Sequence, residues 1–230
     1  MQRFFVQFPL SEALEINDEN IHHQISRVLR AKPGDRVILF NGDNSENEYE
    51  VREITKKSIH LNRTLQRFPN TEPKQKITLY QALPNKMEKI EYILEKWVEV
   101  GIRRFIFFRS DFSQKLILSD AKKQRFTAIA REALEQCGWL AMPVIEFRDT
   151  IGHYEWGNKN VALDTRGATQ KLTALAQNDE MHLWVGPEWG WSESEISKMI
   201  ENGFIFARFW DRVMRTETAW LVIAFALLNL

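Results

Sequence analysis

Apolar and polar positions alternate along the first seventy residues and then change period. Phe4 to Phe8, Val37 to Phe40, Tyr49 to Ile54 and Ser58 to Leu65 read as short strands, with Asn41-Gly42-Asp43-Asn44 as a hairpin turn between the second and third. One helix interrupts them. Asn17 to Asn20 supply its cap, Ile21, Ile25, Val28 and Leu29 recur at helical spacing, and Pro33-Gly34-Asp35 ends it. These elements predict a small β-barrel-like domain over residues 1–70. Residues 68–76 carry two prolines and no apolar period, so the domain boundary is expected there.

From residue 75 to 230 the pattern alternates strand and helix. Ile77 to Leu83, Phe105 to Phe108, Val144 to Phe147, Val161 to Leu163, 181–185 and 204–209 are short apolar runs of the kind that strands covered on both faces display. Between the first two, Met87, Ile90, Leu94 and Trp97, with Ile93 and Val98, line one side of a helix that Gly101 ends. A second helix starts at Ser119 or Asp120, buries Ile129, Ala130, Ala133, Leu134 and Cys137, and stops at Gly138. Such alternation predicts a mostly parallel sheet with helices on both faces, an α/β class.

Composition narrows the partners. Lys plus Arg balance Asp plus Glu at 31 each, so bulk charge gives no support to a nucleic-acid partner, and any such surface must be local. One local candidate is the stretch holding Arg52, Lys56, Lys57, Arg63 and Arg67 against Glu53, although solvated strand edges carry lysines for other reasons. A single cysteine, Cys137, excludes an intramolecular disulfide and points to a reducing compartment. No signal peptide is legible after Arg3, and the longest apolar run, Ala219 to Leu228, falls well short of the roughly 20 residues a membrane span needs. A cytoplasmic location is therefore expected, with no membrane partner.

Familiar nucleotide and hydrolase signatures are missing. There is no Gly-x-Gly-x-x-Gly, no phosphate loop with Gly-Lys-Ser/Thr, and no Gly-x-Ser-x-Gly. The five histidines show no metal-ligand spacing, so no metal is expected. Two turns stand out instead. The first is Gly186-Pro187-Glu188-Trp189-Gly190-Trp191-Ser192, where Ser192 and Glu195 form a capping box. Glu188 reads either as a base or cation-attracting group or as a structural carboxylate, and the two indoles as core or as the wall of a flat ligand. The second turn, after Phe209, holds Arg212 and Arg215 beside Thr216, Glu217 and Thr218 at the start of the last helix, an anion-binding composition. An ion pair between Arg215 and Glu217 is the plainer alternative.

The two turns together resemble one family. Gly-Pro-Glu-x-Gly-x-Ser-x-x-Glu, followed by Arg-Val-Met-Arg-Thr-Glu-Thr-Ala, is similar to the SPOUT-superfamily enzymes that methylate N3 of a uridine in 16S ribosomal RNA. The likeness extends to Arg3-Phe4-Phe5-Val6, Val28-Leu29-Arg30, Lys86 to Glu91, Glu99 to Ile102 and Glu132 to Cys137. It implies a PUA-like β-barrel before a SPOUT α/β domain tied in a trefoil knot, S-adenosylmethionine as cofactor, a homodimer with the pocket at the subunit interface, and 16S ribosomal RNA or the small subunit as partner. By the same resemblance, the cofactor would lie against Val185, Gly186, Pro187, Glu188, Gly190, Phe209, Val213, Met214, Arg215, Thr216 and Thr218. Arg215, Glu217 and Arg212 would carry the chemistry, and Arg3, His23, Arg27, Arg30 and Arg109 are the candidate RNA contacts. Trp189 and Trp210 stand where the family usually has glycine, putting an indole where backbone should approach the cofactor. A non-catalytic RNA-binding or ribosome-assembly protein, or a SPOUT enzyme acting on another RNA, are the rival readings.

Overall fold

A computed structural model of the chain describes residues 1–71, 75–113, 118–150, 159–164, 168, 170–175, 180–208 and 222–223. The chain divides into two compact units, Met1–Glu72 with Leu134–Met142, and Pro73–Ala133 with Pro143–Leu230.

The first unit is a five-stranded sheet. Its strands are β1 (Arg3–Phe5), β2 (Ala13–Ile16), β3 (Arg36–Phe40), β4 (Glu46–Ile54) and β5 (Ile59–Arg67), in the spatial order β1-β3-β4-β5-β2. Only the β1–β3 pair is parallel. Phe4, Ile16, Val37, Leu39, Tyr49, Val51, Ile59 and Leu61, drawn from all five strands, meet in one cluster, so the sheet curls around a single core. Tyr49 is fully buried, and its hydroxyl donates to the Ser11 carbonyl at 2.7 Å, which satisfies the one polar atom it brings inside.

The helix between β2 and β3 differs from its reading in sequence. Asp18 caps helix α1 (Glu19–His23) by accepting from the Ile21 amide, but the chain then widens into a π turn over Gln24–Val28, with Leu29 N donating to Gln24 O. Ile21 and Ile25 are buried as expected, whereas Val28 is 70% exposed and Leu29 faces water as well. The physical reason is periodicity. Bonds from i to i+5 hold more residues in each turn than an α-helix does, so the apolar stripe rotates off the core after Ile25. Strand β2 carries no clear alternation and was not expected.

The second unit is built on a seven-stranded sheet, entirely parallel. Strands β6 (Lys76–Ala82), β7 (Arg104–Phe108), β8 (Val144–Arg148), β9 (Lys159–Leu163), β10 (Gln170–Lys171), β11 (Glu180–Val185) and β12 (Ile205–Arg208) lie in the order β10-β12-β9-β11-β6-β7-β8. Helix α2 (Met87–Val100) follows β6 and ends at Gly101, whose φ of 110° is the left-handed cap conformation that glycine adopts without a Cβ clash. Helix α3 (Asp120–Cys137) follows β7, and α4 (Glu193–Glu201) follows β11. The continuous apolar runs in β6, β7 and β11 are buried on both faces, as their composition requires.

Trp184 anchors one of these faces. Its indole stacks on Tyr80 with centroids 3.8 Å apart, meets Phe108 and Phe204, and donates to Asn160 Oδ1 at 2.9 Å. Met199 of α4 belongs to the same cluster. Truncating Trp184→Ala removes the ring that joins β6, β7, β11 and the segment after α4. Chemical denaturation should show a loss of about 3–5 kcal/mol.

Candidate active site

Because all seven strands run the same way, their carboxyl ends share one edge of the sheet. Val185 lies opposite Gln81 on one side and Leu163 on the other, while Gln81 lies opposite Phe107. From β6 the chain moves outward through β7 to β8, and β11 returns to the other flank of β6. The edge beyond β6 and β11 is therefore a point where connections depart in opposite directions, the usual place for a ligand crevice in an open α/β sheet.

The turn leaving β11 sits at that point. Gly190 N donates to the Pro187 carbonyl at 2.9 Å, and Gly190 has a φ of 79°, so the chain reverses tightly over Glu188 and Trp189. Ser192 then starts α4 with a complete capping box. Its hydroxyl accepts from Glu195 N at 3.1 Å, and its own amide donates to Glu195 Oε2 at 2.9 Å. The other oxygen of the buried Glu195 accepts from Asp111 N at 3.1 Å, and the Ser192 hydroxyl donates to the Asp111 carboxylate. The loop after β7 is thereby fastened to the turn after β11. Glu195 was legible as a cap; Asp111 was not, because nothing local to residue 111 signals a partner 81 positions away.

Glu188 resolves toward its structural reading. Lys89 Nζ lies 2.8 Å from Glu188 Oε1, and the Asn85 amide donates to the same oxygen at 3.3 Å. Partial burial raises the carboxyl pKa. The hydrogen bond from Lys89, then backbone amides including that of Asn85, and the lysine's charge outweigh this, so the net shift is downward. The ionised carboxylate pins the loop after β6 to the turn after β11. Lys89 was visible as part of a family stretch, but not as this partner.

The two indoles of the turn part company. Trp191 is 2% exposed, lies parallel to Phe108 and donates from Nε1 to the Leu163 carbonyl at 3.0 Å. It covers Gly186 so closely that a Cβ there would meet its ring at 3.2 Å. Trp191 thus packs on the side of Gly186 toward which a Cβ would project. Trp189 is 81% exposed. Its φ is not positive, since among the described residues only Arg30 and Asn44 combine a side chain beyond hydrogen with the left-handed conformation. An indole in place of glycine at 189 therefore neither strains the turn nor fills it.

The candidate residues Val185, Gly186, Pro187, Glu188 and Gly190 are thus brought together on one turn. Phe209, Arg212, Val213, Met214, Arg215, Thr216, Glu217 and Thr218, together with Trp210 and much of the segment expected to form the knot, lie outside the described residues. Among the described residues no group of His, Cys, Asp and Glu is placed to hold a metal. No helix among them is long and apolar enough to cross a membrane.

Of the candidate RNA contacts, Arg3 is used differently. Its guanidinium donates to Glu46 Oε1 at 2.8 Å, to the carbonyls of Leu134 and Glu135 at 3.1 Å, and to Trp139 O at 2.9 Å, and it covers the Phe40 ring. With its side chain 11% exposed, it caps the last carbonyls of α3 and is not presented to solvent. His23, Arg27, Arg30 and Arg109 are exposed. The basic stretch of β4 and β5 also divides. Arg52 and Arg67 pair with Glu50 and Glu48, and Arg63 donates to Asn47, while Lys56 and Lys57 have no carboxylate partner among the described residues. Their turn is held on α1 by His22, whose Nε2 lies 2.9 Å from the Thr55 carbonyl and so carries the proton. Arg27, Arg30, Lys56 and Lys57 are cations of the first unit with no carboxylate partner among the described residues.

Comparison with known proteins agrees with this architecture. Residues 71–228 match the family described as RNA methyltransferase domain, and residues 16–62 match the RNA methyltransferase PUA domain. A ribosomal RNA small subunit methyltransferase E of Helicobacter pylori is 32% identical over 96% of this chain and 97% of its own. The chain belongs to this RNA methyltransferase family. A Buchnera aphidicola relative with the same name is 28% identical over 95% of this chain and 88% of its own. In structure, the ribosomal RNA small subunit methyltransferase E of Neisseria gonorrhoeae, bound to S-adenosyl methionine, superimposes with a TM-score of 0.86 at 25% identity, covering 99% of this chain and 96% of that one. A methyltransferase from Legionella pneumophila with the same cofactor gives 0.85, again at 25% identity, over 98% and 96% of the two chains. The family's α/β fold, with a small β domain before a parallel-sheet domain, is the fold found here.

Two outcomes test the turn. Glu188→Gln removes an ion pair whose carboxyl titrates below its ordinary value, so the stabilisation is complete above the unfolded pKa and disappears as pH falls through the folded one. The variant should be less stable than wild type by about 0.5–1 kcal/mol near neutrality, and the difference should vanish in acid, as thermal melts across pH will register. Gly186→Ala drives a methyl into the Trp191 ring. It should lower stability by about 1–3 kcal/mol and change the near-ultraviolet circular dichroism.

Proposed function

We propose that this protein is an S-adenosylmethionine-dependent methyltransferase that modifies N3 of a uridine in 16S ribosomal RNA. The observation that carries the proposal is a family match spanning nearly the whole chain, joined to a rigid Gly186–Ser192 turn at the switch point of the sheet. The described candidates for the cofactor contacts are compatible with the group. The backbone turn is preorganised, Glu188 is neutralised by Lys89, and the Trp189 indole points away into solvent. Val185, Gly186, Pro187, Glu188 and Gly190 would hold the cofactor together with Phe209, Val213, Met214, Arg215, Thr216 and Thr218. When bound, S-adenosylmethionine supplies an electrophilic methyl group on a positively charged sulfur.

The chain's own task is to make uridine N3 nucleophilic and aim it. The imide proton must leave, and negative charge then spreads onto the flanking carbonyl oxygens. Arg215 is assigned to stabilise that charge and Arg212 to hold an RNA phosphate. Glu217 acts either as the base or as the group that orients Arg215. Arg27, Arg30, Lys56 and Lys57 supply the unpaired charge of an RNA-binding surface on the first unit, where a PUA-like barrel over residues 1–70 precedes the methyltransferase domain at 75–230. A cytoplasmic homodimer with the apolar segment Trp220 to Leu228 in its interface completes the reading.

Calorimetry should show micromolar binding of S-adenosylmethionine to the wild type. Mapping of methylated nucleotides in 16S ribosomal RNA should then find one N3-methyluridine. Arg215→Ala should slow methyl transfer by about 10²–10³-fold. Absence of cofactor binding by the wild type would reject the enzyme in favour of a non-catalytic RNA-binding protein, and a methyl group mapped to another RNA would reject the substrate.

A further inference from the structure

Trp189 is the most exposed large hydrophobic residue among those described, at 81%, and it sits on one of the most heavily braced turns in the molecule. An indole free in water at the tip of a mobile loop would call for no explanation. Here its base is fixed three ways: by the Gly190 to Pro187 backbone bond, by the grip of Lys89 and Asn85 on Glu188, and by the Ser192–Glu195 capping box. The ring is therefore presented on a rigid support, with little backbone entropy left to lose when something stacks on it.

A second aromatic accompanies it. Phe112 is 49% exposed on the loop after β7, and its neighbour Asp111 is bonded through its amide to Glu195 and through its carboxylate to Ser192. These bonds fasten the Phe112 loop to the start of the helix that follows the Trp189 turn. They also occupy the Asp111 carboxylate with a hydroxyl donor. Arg109, on the same loop, is exposed and has no carboxylate partner among the described residues. Two aromatic faces with an unpaired guanidinium, on loops leaving the carboxyl ends of parallel strands, are the chemistry that holds unpaired bases of single-stranded nucleic acid. A protein partner seeking an apolar surface would meet acidic residues here, since Glu188 and Asp111 adjoin Trp189 and Phe112 in the chain.

We propose that Trp189, assisted by Phe112 and Arg109, is a stacking platform for an unpaired base of the RNA substrate, a positioning element distinct from the cofactor-binding backbone of the same turn. The inference rests on the RNA methyltransferase reading and specifies how that enzyme grips its substrate. It also gives the Gly-to-Trp difference at 189 a function in this chain.

The test measures fluorescence anisotropy of a fluorescein-labelled oligouridylate, single-stranded or annealed to oligoadenylate, with wild type, Trp189→Phe, Trp189→Ala and Phe112→Ala. S-adenosylmethionine affinity is measured in parallel by calorimetry. Stacking contributes about 1–3 kcal/mol per base, so Trp189→Ala should weaken single-strand binding by roughly 5- to 150-fold. Trp189→Phe should recover most of the loss, duplex binding should change little, and cofactor affinity should stay within about twofold of wild type. Oligouridylate binding that is absent in the wild type or unaffected by Trp189→Ala overturns the platform. A parallel fall in cofactor affinity overturns it too, by making the indole a wall of the cofactor pocket, as does a loss of self-association in sedimentation without a change in RNA binding. The enzyme reading fails separately, through wild-type protein that neither binds cofactor nor transfers methyl.

Discussion

Parallel strand pairing is the constraint on which the second unit depends. A parallel ladder cannot be closed by a tight turn, so each strand of the β6–β12 sheet must be reached by a crossover, and every strand then delivers its carboxyl end to the same edge. Three connections are gathered there: the segment around Asn85, the Arg109–Ser113 loop and the Gly186–Ser192 turn. Placing β11 between β6 and β9 sets the first and last of these next to each other. Glu188 can then reach Lys89 and Asn85 although about a hundred residues separate them.

Once gathered, the loops are locked by polar bonds and packed over an aromatic core. Glu188 and Glu195 each bind groups from a different loop, so two carboxylates tie together three connections of the sheet. Below them Trp184, Tyr80, Phe108 and Trp191 form a continuous aromatic layer, with both indole N–H groups satisfied by Asn160 and Leu163. Burial of these rings provides the stability, and the satisfied N–H groups make that burial affordable. The result is a rigid turn with one of its side chains, Trp189, left in water. Rigidity of this kind suits methyl transfer, where alignment of the two reacting centres supplies much of the acceleration.

The first unit uses the opposite economy. Its sheet closes around one small core, and exposed basic residues lie outside that core on the π turn and the Thr55–Ser58 turn. The π turn shifts Val28 and Leu29 outward with Arg27 and Arg30, and His22 holds Lys56 and Lys57 on the same element. A helix with regular spacing would have buried Val28 and Leu29. The irregularity thus trades apolar burial for an exposed surface that carries unpaired cations.

What the sequence by itself determined was local or repetitive. Buried parallel strands announce themselves as unbroken apolar runs, α2 by its stripe and its Gly101 cap, and α4 by the Ser192–Glu195 box, because each depends on neighbours within a few residues. The turn at 186–190 was legible for the same reason, and its resemblance to a family led to the cofactor and the reaction. Tertiary structure alone decided the rest. It ordered the seven strands, joined Glu188 to Lys89 and Asn85, and turned Arg3 inward onto the carbonyls of α3. It also closed the bare face of Gly186 with Trp191 while leaving Trp189 in water. Each of these outcomes depends on groups far apart in the chain meeting in space, and side chains of the same type, such as two indoles two residues apart, carry no local mark of which will be buried.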